Sequence, residues 1–140
     1  MVLIAEDIMK SLPTPMPSSI SVADASKIMV NDKIGYALIS NDDLIIGIVT
    51  EWDIVSKVVA LGKNPKDVSM GEIMNKEIFS ATPDTPTMKI TKMMNEKEIR
   101  RMLVGSNGKY LGIITSKDII RIFDDYMDDV EEIAEKFGKY

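Results

Sequence analysis

A chain of 140 residues with no Cys, no His and a net charge of −5 has no disulfides or thiolate chemistry and lacks the commonest general base and metal ligand. Its acidic balance argues against duplex nucleic acid or an anionic membrane as the main partner, because both call for a basic face. The longest apolar run, Leu44 to Val49 broken by Gly47, is too short to span a bilayer, and the first seven residues lack the basic and long apolar regions of a signal peptide, so a cytoplasmic location is expected.

In chain order, the pattern predicts a short helix over Ala5–Lys10 and an extended, Pro- and Ser-rich stretch over Pro13–Ser19. An amphipathic helix follows, with Ser21 as N-cap and Val22, Ala25, Ile28 and Met29 as its apolar stripe. Strands are expected over Tyr36–Ser40 and Leu44–Thr50, joined by Asn41-Asp42-Asp43, with a helix starting near Thr50. The same series then recurs: a short helix over Met70–Asn75 and an extended stretch over Ile78–Pro86. Next comes a helix with Thr85 as cap, Pro86 in its first position, and Met88, Ile90, Met93 and Met94 as stripe. Strands over Met102–Gly105 and Lys109–Thr115 are joined by Ser106-Asn107-Gly108, and a helix starts near Thr115. Residues 124–140 carry Tyr126, Val130, Ile133 and Phe137 at helical spacing beside an acidic face. This segment reads as a helix that extends the last one and packs on the body or on a partner chain.

The recurrence is an internal repeat. Shifted by 65 residues without a gap, Ile8-Met9 falls on Ile73-Met74, Leu38 on Leu103, and Gly47-Ile48, Thr50 and Asp53-Ile54 on Gly112-Ile113, Thr115 and Asp118-Ile119. A single β-α-β-β-α unit exposes too much apolar surface, whereas two copies bury those faces against each other. The fold class expected is α+β: two such repeats with pseudo-twofold symmetry, sheets packed together and helices outside. The expected division is residues 1–66, 67–124 and a C-terminal acidic amphipathic helix over 125–140.

Two phrases, Gly-Ile-Val-Thr-Glu-Trp-Asp at 47–53 and Gly-Ile-Ile-Thr-Ser-Lys-Asp at 112–118, admit two readings. Thr-x-x-Asp at a helix start is a capping box, with Gly allowing a bend or a close backbone approach. Equally, a strand running into a helix N-terminus offers N–H donors to an anion; the Thr hydroxyl can bond a phosphate, and the Asp can accept from both hydroxyls of a ribose.

With Asp7-Ile8-Met9, Glu72-Ile73-Met74 and Thr82-Pro83-Asp84-Thr85, these phrases make residues 3–124 resemble a tandem pair of cystathionine β-synthase (CBS) domains, a Bateman module. The resemblance implies a stand-alone regulatory module rather than an enzyme, with no catalytic residues and no metal. It implies that the module senses an adenosyl ligand, namely AMP, ADP or ATP, with S-adenosylmethionine and NAD as further candidates. In the family two clefts lie between the repeats; one repeat supplies Thr-x-x-Asp and the other much of the adenine wall. The favoured cleft would use Thr115, Lys117 and Asp118 with Arg100 and Arg101, which match a basic strand entrance of the family. Its adenine wall would come from Met16, Ile20, Gly35 and Tyr36. A second, weaker site would use Thr50, Asp53 and Ile99, with Trp52 where the other copy has Lys117. The apolar helices after each motif, with Ile54, Val55, Val58 and Val59 and then Ile119, Ile120, Ile122 and Phe123, present more apolar surface than one chain can bury and predict a homodimer packed through them, acting in trans on an unknown protein partner. The alternative is a ligand-free dimeric scaffold with degenerate sites.

Overall fold

Each half of the chain opens with a single helical turn held by its own acid. In the computed structural model, which describes residues 3–107 and 109–137, α1 is Ala5–Ile8 and the Asp7 carboxylate accepts from the Ile4 N–H at 2.9 Å. One extended pair, β1 (Met16–Pro17), precedes α2 (Val22–Asp32), where Ser21 Oγ accepts from the Asp24 N–H as the sequence predicts. Next come β2 (Tyr36–Asn41), β3 (Leu44–Thr50) and α3 (Glu51–Ile54), the last continued by one π-helical turn over Val55–Val59. The second half repeats the order: α4 (Met70–Ile73), β4 (Ser80–Ala81), α5 (Thr87–Lys97), β5 (Arg101–Ser106), β6 (Lys109–Thr115) and α6 (Ser116–Phe137). In α4 the Glu72 carboxylate accepts from the Ser69 N–H, matching Asp7 in α1.

Two three-stranded sheets result, ordered β1-β2-β3 and β4-β5-β6, each with one parallel and one antiparallel pairing. Register shifts fall at Ile39/Ser40 and at Val104/Gly105, matching positions of the repeat. The sheets face each other across Tyr36, Leu38, Ile45, Leu103 and Ile113. This is the α+β, pseudo-twofold arrangement expected.

The opening helices cross over. Ala5 and Ile8 of α1 pack with Ala81, Ile90, Met102 and Ile114, in the core of the second repeat. Met70 and Ile73 of α4 pack with Val22, Ala25, Ala37 and Val49, in the core of the first. Backbone bonds match across the repeat: Ala5 N–H donates to Thr85 O and Met70 N–H to Ile20 O, both at 2.8 Å. Each half therefore completes the other's core.

Several local expectations change. The short helices stop at Ile8 and Ile73 because Met9 and Met74 turn to extended backbone. Lys10 and Asn75 then bridge to Ile113 and Ile48 instead of continuing a helix. Thr85 does not cap α5: its hydroxyl accepts from the Thr82 N–H, and Pro86 occupies the cap position. The β2–β3 connection is tighter than expected. Asn41 pairs with Leu44, and the turn is Asp42-Asp43 with φ of 49° and 66°, the left-handed pair of a two-residue hairpin. In the matching hairpin Gly108 lies outside the described residues, as do residues 138–140 of the segment expected to be the C-terminal helix. That helix is continuous with α6, yet every residue from 123 to 137 is exposed, so it does not pack on the body.

Candidate functional site: two clefts between the repeats

The repeated phrase builds two matching clamps. Thr115 ends β6, and its N–H and hydroxyl both donate to Asp118 Oδ2, at 2.8 and 3.0 Å. Thr50 and Asp53 repeat these bonds at the same distances. The N–H of the first helical residue is also taken: Ser116 donates to Arg100 O and Glu51 to Gly35 O, both at 2.9 Å.

Each aspartate is then closed by the segment that crosses from the other half. Lys10 Nζ lies 3.0 Å and Arg121 Nη2 2.9 Å from Asp118 Oδ1, and Asp118 is 0% exposed. At the other clamp, Asn75 Nδ2 donates to Asp53 Oδ2 at 2.8 Å and Lys57 Nζ lies 3.3 Å from Oδ1. Burial alone would raise the Asp118 carboxyl, but the Thr115 N–H, Lys10 and the Thr115 hydroxyl outweigh it and hold it below the usual carboxylate range. Lys10 and Asn75 are equivalent positions of the repeat. The sequence reading missed both, although their place directly after the shared Ile-Met marks them.

The glycines serve this crossing. A Cβ on Gly112 would lie 2.7 Å from Lys10 O and 2.8 Å from Met9 Sδ; one on Gly47 would lie 2.5 Å from Met74 Sδ. Only glycine lets the crossing segment lie this close to the strand.

Above each clamp is a cleft. The first encloses about 850 Å³ and takes Thr115, Ser116 and Lys117 from one repeat and Met29, Lys33, Gly35, Tyr36 and Val55 from the other. The second encloses about 790 Å³ around Thr50, Trp52, Asn75, Phe79 and Ile99. Each is thus walled by both repeats. Asp118 and Asp53 lie beneath the clefts, not on their walls. Met16 and Ile20, expected in the first cleft, line a separate cavity of about 160 Å³ beside Tyr36.

Arg100 and Arg101 border both clefts, where sequence alignment had placed them with Thr115 only. They stand at the mouth of β5, which is the seam between the repeats. The Arg101 guanidinium lies 4.7 Å from the centre of the Tyr36 ring, a cation–π contact. Burial lowers the Arg101 pKa, against the opposing pull of Tyr36 and Glu51. Burial likewise raises the Tyr36 phenol; Arg101 pulls it back, and Asp118 adds to the rise.

The remaining charges differ by cleft. The first adds Lys10, Lys33 and Lys117, with Glu51 as its one acid among the lining residues. The second adds Glu51, Glu77 and Glu98, and carries the 70%-exposed Trp52. Lys33 and Glu98 are equivalent positions, each the left-handed residue ending α2 or α5. Among the described residues no group of three or more His, Cys, Asp or Glu side chains gathers to hold a metal ion, and no helix is long and apolar enough to cross a membrane.

The fold has counterparts among known proteins. The CBS domain profile matches residues 5–60 and 70–125. An uncharacterized protein of Methanopyrus kandleri, MK0525, is 36% identical over 97% of this chain and 70% of its own length. By contrast, this chain spans only 24% of the homoserine O-acetyltransferase of Methanohalobium evestigatum, at 33% identity. Among solved structures, the hexameric CBS-CP12 protein from bloom-forming cyanobacteria superposes with a TM-score of 0.78 at 32% identity, covering 99% of this chain and 86% of that one. The CBS domain pair of protein MJ0100, solved with 5′-methylthioadenosine and S-adenosyl-L-methionine, superposes with a TM-score of 0.75 at 29% identity, covering 90% and 99%. The two matched segments coincide with the two interlocked halves, and the chain belongs to the CBS domain family as a tandem pair.

Proposed function

We propose that this chain is a regulatory module that binds an adenosyl ligand between its repeats, with the Thr115 cleft as the principal site. The observation that carries this reading is the cleft's composition: an apolar wall from the first repeat, with Lys10, Lys33 and the one acid Glu51 from that half, and Arg100, Arg101 and Lys117 from the second. Such a pairing suits a flat base joined to phosphates. The likeness to a domain pair solved with two adenosyl compounds supports the ligand class.

In this reading Gly35, Tyr36, Met29 and Val55 receive the adenine, while Arg100, Arg101 and Lys117 receive phosphate beside the Thr115 hydroxyl. Asp118 meets a ribose only after giving up a bond to Lys10 or Arg121; as it stands, it positions Thr115 and Lys10. The cleft of Thr50 and Ile99, over Asp53, is richer in acid and favours ligands with less negative charge. The module acts in the cytoplasm as a homodimer through the helices after each motif, where Val55, Val59, Ile120 and Phe123 are exposed. It regulates a protein partner in trans and catalyses no reaction.

Titration calorimetry and thermal melts with AMP, ADP, ATP, NAD and S-adenosylmethionine test this. A ligand at 100 times its Kd adds about 2.7 kcal/mol of stability. Binding that is lost in Arg101→Ala and Lys117→Ala supports the reading. If none of the five compounds binds or raises the melting temperature, the module is a ligand-free scaffold.

A further inference from the structure

We propose that the distal half of α6 is a self-association surface: residues 123–137 pair with the same helix of a second copy of this chain. The helix is anchored at its start, where Asp118 is buried and Ile119 and Ile122 pack in the second repeat's core. Beyond that it leaves the body, and its whole distal half is exposed. A helix of about 15 residues is marginal in water by itself, because helices gain most of their stability from burying an apolar face. This one has such a face uncovered: Phe123, Tyr126, Val130, Ile133 and Phe137 are 60, 63, 37, 57 and 64% exposed.

The spacing of these residues identifies the occupant. The intervals run three, four, three, four, the 3.5-residue period of a seam that faces another helix, here with Phe123, Val130 and Phe137 at a and Tyr126 and Ile133 at d. In this register Asp124, Asp125, Asp128, Glu131, Glu132 and Glu135 fall at b, c and f, turned away from a partner helix. The e positions are Met127 and Ala134, and the g positions are Asp129 and Lys136. A helix meant for a basic-rimmed groove would carry its acids at e and g, beside the seam. This helix keeps a single acid there, so two copies join their stripes without setting rows of carboxylates against each other. The seam is self-complementary.

The absence of cysteine in the whole chain makes the test direct. Val130 lies midway between Phe123 and Phe137, so it meets its own counterpart in a parallel or an antiparallel pair. Under mild oxidation at tens of micromolar, full-length Val130→Cys forms a disulfide-linked dimer, and Asp128→Cys, at an outward position, does so about tenfold more slowly, since pairing raises the local thiol concentration toward the millimolar range. Adding Ile133→Asp to Val130→Cys slows cross-linking to the Asp128→Cys rate, while raising the salt concentration speeds it by screening the acidic faces. Equal rates at positions 130 and 128, no cross-link at 130, or a rate insensitive to Ile133→Asp each overturn the proposal. Neither cleft is lined by any of residues 123–137, so nucleotide binding leaves the 130-to-128 ratio unmoved and failure here is distinct from failure of the ligand reading.

Discussion

Replacing Asp118 with Ala removes the acceptor for the Thr115 N–H, the Thr115 hydroxyl, Lys10 and Arg121, at 2.8 to 3.0 Å. Removing one partner of a fully buried ion pair costs about 3–5 kcal/mol, because the other charge stays buried. Here the orphaned cations are 53% and 55% exposed and regain water, so that penalty is not reached. What goes is a helix cap of about 1 kcal/mol and charge-assisted bonds of about 1.5–3 kcal/mol, much of it offset by rehydration. The expected loss is about 2–3 kcal/mol, or about 5–10 °C in Tm for a chain of this size. Urea unfolding at neutral pH measures it. The folded pKa of Asp118 lies below its ordinary value, so its contribution is complete above the unfolded pKa of about 3.9 and is lost as pH falls through the folded value. The stability gap between wild type and Asp118→Ala is therefore constant from neutrality to about pH 5 and narrows below about pH 4. A loss under about 0.5 kcal/mol, within the range of neutral surface changes, or a gap that widens on acidification, refutes the clamp. Asp53→Ala costs less, because the crossing residue it leaves behind, Asn75, is uncharged.

The two glycines separate in a double-mutant cycle. Gly47→Ala and Gly112→Ala each destabilise by about 1–3 kcal/mol, but Met74→Ala relieves most of the first by removing the two nearest atoms, Met74 Sδ and Cγ, while Met9→Ala leaves the second against Lys10 O; equal rescue in urea melts contradicts the geometry. In the clefts, Lys33→Glu installs the residue found at the equivalent position 98 and lowers ADP affinity by about five- to tenfold in calorimetry. Glu98→Lys moves the second cleft the other way, and unchanged affinity in both variants removes charge as the basis of selectivity. At the first hairpin, Asp42→Asn with Asp43→Gly relieves left-handed backbone at both positions and raises stability by about 0.5–1 kcal/mol; a lower Tm counts against the assigned turn.

Much of this fold is legible because the repeat runs without a gap, so each weak local signal appears twice. The strands, the Ser21 cap, the Thr50 capping box and the Thr115–Asp118 bonds at the matching helix start all follow from short-range chemistry. The crossing of α1 and α4 does not. Ala5, Ile8, Met70 and Ile73 announce burial, but an apolar turn of helix carries no mark of which sheet it will cover. Thr85 misled for a related reason: its hydroxyl had a nearer donor in the Thr82 N–H, and Leu3 O, remote in sequence, took the Thr87 N–H and hydroxyl. Lys10, Lys33 and Asn75 belong to no apolar period, and only the crossing brings Lys10 and Asn75 to the clamps. The motif aspartates were readable as caps from spacing alone, whereas their enclosure beneath the clefts depends on the same crossing.

The phrase and the crossing together explain how two halves of the same element order come to hold unlike clefts. Each clamp needs one hydrogen-bond donor from the crossing segment, aimed at a buried carboxylate. An ammonium and an amide both satisfy that need: Lys10 serves Asp118 and Asn75 serves Asp53, each within 3.0 Å. The same two residues also line the clefts above. A change between them therefore alters the charge facing a ligand while the carboxylate beneath stays satisfied. Glu51 and Ser116, Trp52 and Lys117, and Glu98 and Lys33 extend the pattern, for all six line the clefts and are half-buried or exposed. The conserved members of the repeat, Gly, Thr and Asp, carry the interlock. The variable members stand on the cleft walls, where substitution costs the fold little and changes the chemistry of the cleft most.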